Sequence, residues 1–215
     1  MQLVGMLDSP YVRRVAIALH HYQLPFEHNS LSVFRNVDEF SQINPLVKAP
    51  TLVCDNGEVL IDSTLILAYI HRLAAERDSP QNSLIPESFA DYRKELRLLG
   101  LAINACDKSV QIVYERDLRP AEKQHQPWRD RIQSQVLAAY DLLEPYAANA
   151  PDWLISTQLT NADIAVSVAW QFTQFMIPDV VKSDRYSALS ALSLRAEALP
   201  AFLSTPMEAN WQPSQ

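Results

Sequence analysis

Residues 6 to 21 read MLDSPYVRRVAIALHH. The apolar run Leu3 to Leu7 predicts a short buried strand, and Asp8-Ser9-Pro10-Tyr11-Val12 interrupts it. From Pro10 to Tyr22 the residues Val12, Val15, Ala16 and Leu19 recur at helical spacing, which predicts a helix. Serine is a favoured N-cap, and proline at the first helical position is already set for helix. Ser9-Pro10 is therefore explained as a plain helix start. A helix N-terminus also concentrates unpaired N–H groups and positive potential, which suits an anion such as a thiolate. These residues alone leave both readings open.

Outward from this stretch, Phe26 to Leu31 reads as a second strand and Val37 to Ile43 as a short helix ending before Asn44-Pro45. The segment APTLVCDNGEVLIDS, residues 49 to 63, predicts two strands joined by Asp55-Asn56-Gly57, because Asn-Gly between apolar runs is a strong hairpin signal. Ser63 opens the helix STLILAYIHRLAAER, with Leu65, Ile66, Tyr69, Ile70 and Leu73 at helical spacing. The order is βαβαββα over residues 1–78. DSPQNSLIPES, residues 78 to 88, is polar with two prolines, so 79–87 is expected to be a linker. Beyond it, over 88–215, strand signals cease and helices are expected at about 87–115, 125–148, 160–176 and 187–199. The fold class expected is α+β, a small α/β domain followed by an all-helical one.

Composition narrows the chemistry. The chain has 215 residues, 48% hydrophobic and 20% charged, as in globular domains that bury a full core. Only 3 are glycine, and Gly5, Gly57 and Gly100 cannot form a G-x-G-x-x-G, a Walker A loop or a G-x-S-x-G elbow. The net charge of −7 and pI of about 5.2 oppose nucleic-acid binding. Arg13-Arg14 and Arg129/Arg131 accordingly read as solvated helix faces. Cys54 and Cys106 lack metal or disulfide spacing, and Cys106 falls in a stripe with Leu99, Ile103, Val110 and Val113, so both read as packing. The five histidines show no metal spacing. With no basic leader before Asp8 and no apolar run of ~18 residues, a reduced, cytoplasmic protein is expected, away from membranes.

Three motifs stand out. Ser9-Pro10 is the first. In NPLVKAPTLV, residues 44 to 53, Pro50 is either a strand-edge proline or a cis-proline. A cis bond there would turn the Ala49 N–H and C=O outward toward an extended peptide. In IDST, residues 61 to 64, Asp62-Ser63 is an ordinary helix cap. The same pair can also hold an amino acid head group, Ser63 and helix N–H groups taking the carboxylate and Asp62 the ammonium.

The first motif is laid out like the redox loop of thioredoxin-like domains, with Ser9 and Val12 where C-P-Y-C has cysteines. In order and spacing, SPYVRR, NPLVKAP, Asp62-Ser63, the linker and the helical second half resemble the glutathione S-transferase family along essentially the whole chain. LTNADIAV, residues 159 to 166, resembles that family's buried capping box, Thr160 with Asp163. VYERDLRPAEKQHQPWRDR, residues 113 to 131, resembles a bacterial branch whose active-site residue is serine. Three positions depart from the family pattern: Val47 stands for a usual glycine, Ala49 for a commoner valine, and Ser156 for a frequent glycine.

The resemblance implies a scaffold that has lost its own thiols and uses that of glutathione as cosubstrate, without a metal. Ser9 would be the catalytic residue, donating a hydrogen bond to the glutathione sulfur. Lys48, Ala49, Pro50, Asp62 and Ser63 would complete the binding site, Lys48 taking the glycyl carboxylate. The implied activity is detoxifying transfer: thiolate attack on small electrophilic substrates, in a homodimer. Glutathione-dependent reduction or peroxidase activity is the alternative enzyme reading, although Val12, lacking sulfur, argues against dithiol chemistry. A non-catalytic binding or regulatory module is the third.

Overall fold

The computed structural model describes residues 1–77 and 83–208, and the chain forms two compact units. One comprises Met1–Ser83 with Leu199–Gln215; the other is Leu84–Ala198. Of the linker expected over 79–87, residues 79–82 lie outside the described residues.

The first unit runs β1 (Gln2–Val4), α1 (Pro10–His21), β2 (Glu27–Asn29), α2 (Val37–Ile43), β3 (Thr51–Val53), β4 (Val59–Ile61) and α3 (Ser63–Glu76), the expected βαβαββα order. Its sheet has the order β2-β1-β3-β4. β1 pairs parallel to β2 and antiparallel to β3, with Leu3 opposite His28 on one side and Leu52 on the other. The β3–β4 hairpin closes through Gly57 at φ 84 and the Gly57 N–H to Cys54 carbonyl bond of 2.9 Å. β1 and β2 are shorter than expected, because the chain leaves the ladder at Gly5, whose φ of 133 favours glycine.

The solvated face expected for Arg13-Arg14 is not what forms: both side chains are buried, at 2% and 3% exposure. For Arg13 the cause is the C-terminal segment. α8 (Pro200–Leu203) brings Phe202 under the Arg13 guanidinium, 5.7 Å from the ring centroid. Arg13 Nε donates to the Thr205 carbonyl at 2.8 Å. The segment from Leu199 thus belongs with the first unit, whereas the sequence placed all of 88–215 in the helical one. On α3 the buried face is Ile66, Leu67, Ile70 and Ala74, while Leu65 and Tyr69 stay exposed.

The second unit contains α4 (Phe89–Asp117), α5 (Gln126–Ala148), α6 (Asn161–Met176) and α7 (Ser187–Glu197). Tyr140, Trp170 and Tyr186 pack edge-on at its centre. A chain of buried hydroxyls is paired there: the Tyr140 hydroxyl donates to the Ala169 carbonyl at 3.0 Å and meets Thr173 at 2.7 Å, and Thr173 meets Ser109 at 2.8 Å. The expected capping box is present at α6. Asp163, fully buried, accepts from the Thr160 N–H (2.8 Å), the Thr160 hydroxyl (2.7 Å) and the Leu154 N–H (2.7 Å). α7 receives its cap from another helix: Glu144 of α5 accepts the Ala188 and Leu189 N–H groups. Cys54 and Cys106 are both buried, and neither is in a disulfide among the described residues.

Candidate functional site

The first unit carries a cavity of about 140 Å³ where the β1–α1 turn, the segment after β2 and the loop before β3 meet. Ser9, Lys48 and Ala49 line it, so three of the residues singled out in the sequence converge. Asp62 and Ser63 are not among its lining residues. Asp8, Met6, Phe34, Arg35 and Val47 line it as well, and the motifs did not pick these out as site residues.

Ser9 sits at the N-cap of α1 with extended backbone, φ −72 and ψ 120. Its hydroxyl oxygen accepts the Val12 N–H at 3.4 Å, a long and weak bond. Among the described residues its hydroxyl proton has no acceptor. Val12 fills the position of the second redox cysteine and is fully buried. The turn packs tightly there: a Cβ on Gly5 would lie 2.7 Å from Val12 Cγ2 and 2.9 Å from Ala49 Cβ. Only glycine lets β1, α1 and the Ala49 loop approach this closely.

Ala49-Pro50 is cis, and Pro50 is buried. The loop before it is organised by Asn44, at 3% exposure. Asn44 Nδ2 donates to the Lys48 carbonyl (3.3 Å) and Thr51 Oγ1 (2.9 Å), and Asn44 Oδ1 accepts the Leu46 N–H (3.0 Å). Held this way, the Ala49 N–H and C=O join no ladder among the described residues. Val47 adopts φ 47, the left-handed region that glycine favours, so the departure noted in the sequence falls where it is strained. Its side chain packs against the Val4, Leu31 and Phe40 cluster.

Asp62 also has a positive φ, 71, with ψ 122, a region costly for any residue with a Cβ. One carboxylate oxygen caps α3, accepting the Thr64 and Leu65 N–H groups at 2.8 and 3.3 Å. Ser63, the first residue of α3, is 5% exposed, and its hydroxyl makes no hydrogen bond among the described residues.

The cavity is electrostatically mixed. Burial raises the Asp8 carboxyl above its usual range and the Glu208 charge adds to this, while the Ser9 N–H and Arg35 pull it back. Arg35 donates to the Met6 sulfur at 3.1 Å, and its own N–H, like that of Phe34, bonds to Ser32 Oγ. His71 lies away from the cavity, against Tyr22; burial, then Arg14 and His21, lower its pKa to about 4. Among the described residues no group of three or more His, Cys, Asp or Glu could hold a metal ion. No helix described is long and apolar enough to cross a membrane.

Sequence profiles identify the family. The profile of the glutathione S-transferase N-terminal domain matches residues 3–78, and that of the C-terminal domain matches 105–200. The chain belongs to the glutathione S-transferase family. Among members of known structure, one from Pseudomonas fluorescens Pf-5 with bound glutathione is 31% identical, covering 95% of this chain and 97% of that one at a TM-score of 0.78. A glutathione S-transferase from Methylobacterium radiotolerans, in complex with glutathione sulfonate, is 26% identical over 100% of this chain and 98% of its own, at a TM-score of 0.89. An uncharacterised relative from Escherichia coli (strain K12), the GST-like protein YibF, is 28% identical over 176 residues, 81% of this chain and 83% of that protein.

The charged lining residues that the motifs do not mark, Asp8 and Arg35, carry little local signal in the sequence. Asp8 reads as part of a turn, and Arg35 belongs to no recognisable motif in the sequence.

Proposed function

We propose that this chain binds glutathione against its first unit and activates the thiol at Ser9 for attack on small electrophiles, as a serine-type, cytoplasmic, homodimeric transferase. The observation that carries the reading is the uncommitted hydroxyl proton of Ser9, at a helix N-terminus lining a cavity with Ala49 and Lys48. The cysteinyl backbone of the tripeptide would pair with the Ala49 N–H and C=O. Its γ-glutamyl group would meet Ser63 and the free oxygen of Asp62, and its glycyl carboxylate would meet Lys48, with Arg35 a second cation in reach of the cavity. In the dimer, the exposed Leu65 and Tyr69 of α3 would be covered by the partner.

A thiol of pKa about 8.5 is a few per cent ionised at neutral pH. Lowering that value by ~2 units takes ~2.7 kcal/mol. One charge-assisted hydrogen bond from Ser9 together with the α1 terminus is of this size. The sulfur then attacks the electrophilic carbon with its lone pair. In a substitution the leaving group departs with the bonding pair, and the thiol proton goes to solvent. Val12 leaves no second thiol to resolve a mixed disulfide.

Calorimetry tests the binding half of this reading. Ser63→Ala should raise the dissociation constant for glutathione by about tenfold, the scale of one charge-assisted bond, with the melting temperature nearly unchanged. Unaltered affinity would show that Asp62-Ser63 serves only to start α3.

A further inference from the structure

Residues 113–131, which the glutathione reading leaves unused, fold the α4–α5 connection around a second cleft of about 340 Å³. Gln111, Tyr114 and Leu118 lie at i, i+3 and i+7 of α4 and share one face. Pro120, and Trp128 in the first turn of α5, line it with them. Tyr114, Leu118 and Trp128 are each about two-fifths exposed, at 41%, 38% and 39%. A concavity of this volume, with aromatic side chains in its lining, accommodates one or two fused rings.

Its polar side is built rather than incidental. Glu115, at 6% exposure, accepts the His125 N–H through one oxygen at 2.9 Å and pairs with Arg119 Nε through the other at 3.1 Å. Gln124 Nε2 donates to the Arg116 and Arg119 carbonyls, both at 3.1 Å, and Gln124 Oε1 accepts from Arg129 at 3.2 Å. The connection is thus fixed, and Arg119 is oriented through one edge of its guanidinium. Among the described residues no hydrogen bond or ion pair engages its terminal nitrogens. That remaining edge presents parallel donors, the geometry that grips a carboxylate.

We propose that this cleft binds planar aromatic carboxylates, the ring system against Tyr114 and Trp128 and the carboxylate on Arg119. A monoanion suits it better than a phosphate, because Glu115 already offsets one positive charge. The site lies wholly within the helical unit and needs nothing from the glutathione reading.

The test titrates the full chain with naphthoate and, separately, with naphthalenemethanol, which has the same rings without the charge. Calorimetry gives affinity, and the Trp128 indole N–H resonance, assigned with Trp128→Phe, gives location. Naphthoate should shift that resonance saturably, with or without saturating glutathione, and the alcohol should bind about tenfold more weakly. Arg119→Gln should bring naphthoate to the level of the alcohol, and Arg119→Lys should recover part of the difference. The wild-type acid-to-alcohol ratio decides the matter even if an Arg119 variant disturbs the loop. An unshifted Trp128, equal affinity for acid and alcohol, or displacement by glutathione would overturn the proposal.

Discussion

Two helix starts in this chain use the same chemistry to opposite ends. At α6, every oxygen of the cap is spent: Asp163 is fully buried and takes three donors at 2.7 to 2.8 Å. At α1, Ser9 is partly exposed, its bond to Val12 N–H is stretched to 3.4 Å, and its own proton is unspent. A saturated, buried cap stabilises the fold and has nothing left for a ligand. An unsaturated cap beside a cavity contributes little to stability and keeps a donor in reserve.

The contrast is most easily broken at α6. Asp163→Ala strands two N–H groups and a hydroxyl in the interior, and should destabilise the protein by about 3 kcal/mol or more. The urea midpoint should fall accordingly, while the folded fraction keeps the wild-type pKa for bound thiol. A loss below 1 kcal/mol would show that the box is ornamental.

Glu95 sharpens the picture. It is 1% exposed, neither carboxylate oxygen has a hydrogen bond of good geometry among the described residues, and its pKa is raised to about 7, first by burial and then by the Asp163 charge. The Asn161 and Ala162 N–H groups pull the other way. Because the folded value exceeds the usual 4.5, the native state holds this proton more tightly than the unfolded chain. Its stabilising effect is complete below pH about 4.5 and disappears as pH rises through 7. Glu95→Gln, which mimics the protonated acid, should therefore stabilise the protein at pH 8 by roughly 2 kcal/mol and have little effect at pH 4.5. Melting curves at the two pH values check this; equal shifts would contradict it.

Val47 is a smaller case. Val47→Ala loses the Cγ packing and keeps a Cβ at φ 47, whereas Val47→Gly loses the small Cβ contribution as well and escapes the strain. Strain relief of ~1–2 kcal/mol outweighs the ~0.5–1 kcal/mol entropic penalty of glycine, so the glycine variant should be the more stable of the two by about 0.5 kcal/mol. Chemical denaturation of both variants decides the order, and a more stable alanine variant would reverse the argument.

What the sequence made legible was local. α2 begins and ends at Val37 and Ile43 as periodicity requires, Asn56-Gly57 turns the hairpin, and Thr160 with Asp163 caps α6. Ser9, Lys48 and Ala49 could be singled out because short motifs place them. Burial of Arg13 was illegible, since it depends on Phe202 and Thr205 nearly two hundred residues onward. Arg35 was missed for a similar reason: its place at the cavity follows from Ser32 and Met6, which no periodicity links to it. The positive φ of Val47 was hidden because valine is the wrong residue for that conformation.

In the function proposed above, Ser9 holds its proton for a thiolate. Ser9→Ala should change stability by only a few tenths of a kcal/mol, because the bond it removes is long and half-buried. Ultraviolet titration of protein-bound glutathione in wild type and Ser9→Ala measures the effect of that proton on the thiol. The expected outcome is nearly equal affinity for glutathione, a bound thiol pKa higher by at least one unit in the variant, and a loss of turnover with a chlorodinitrobenzene that shrinks as pH rises. Identical pKa values in the two proteins, with a stability loss of ~1 kcal/mol in the variant, would show that Ser9 is a cap like Thr160 and nothing more.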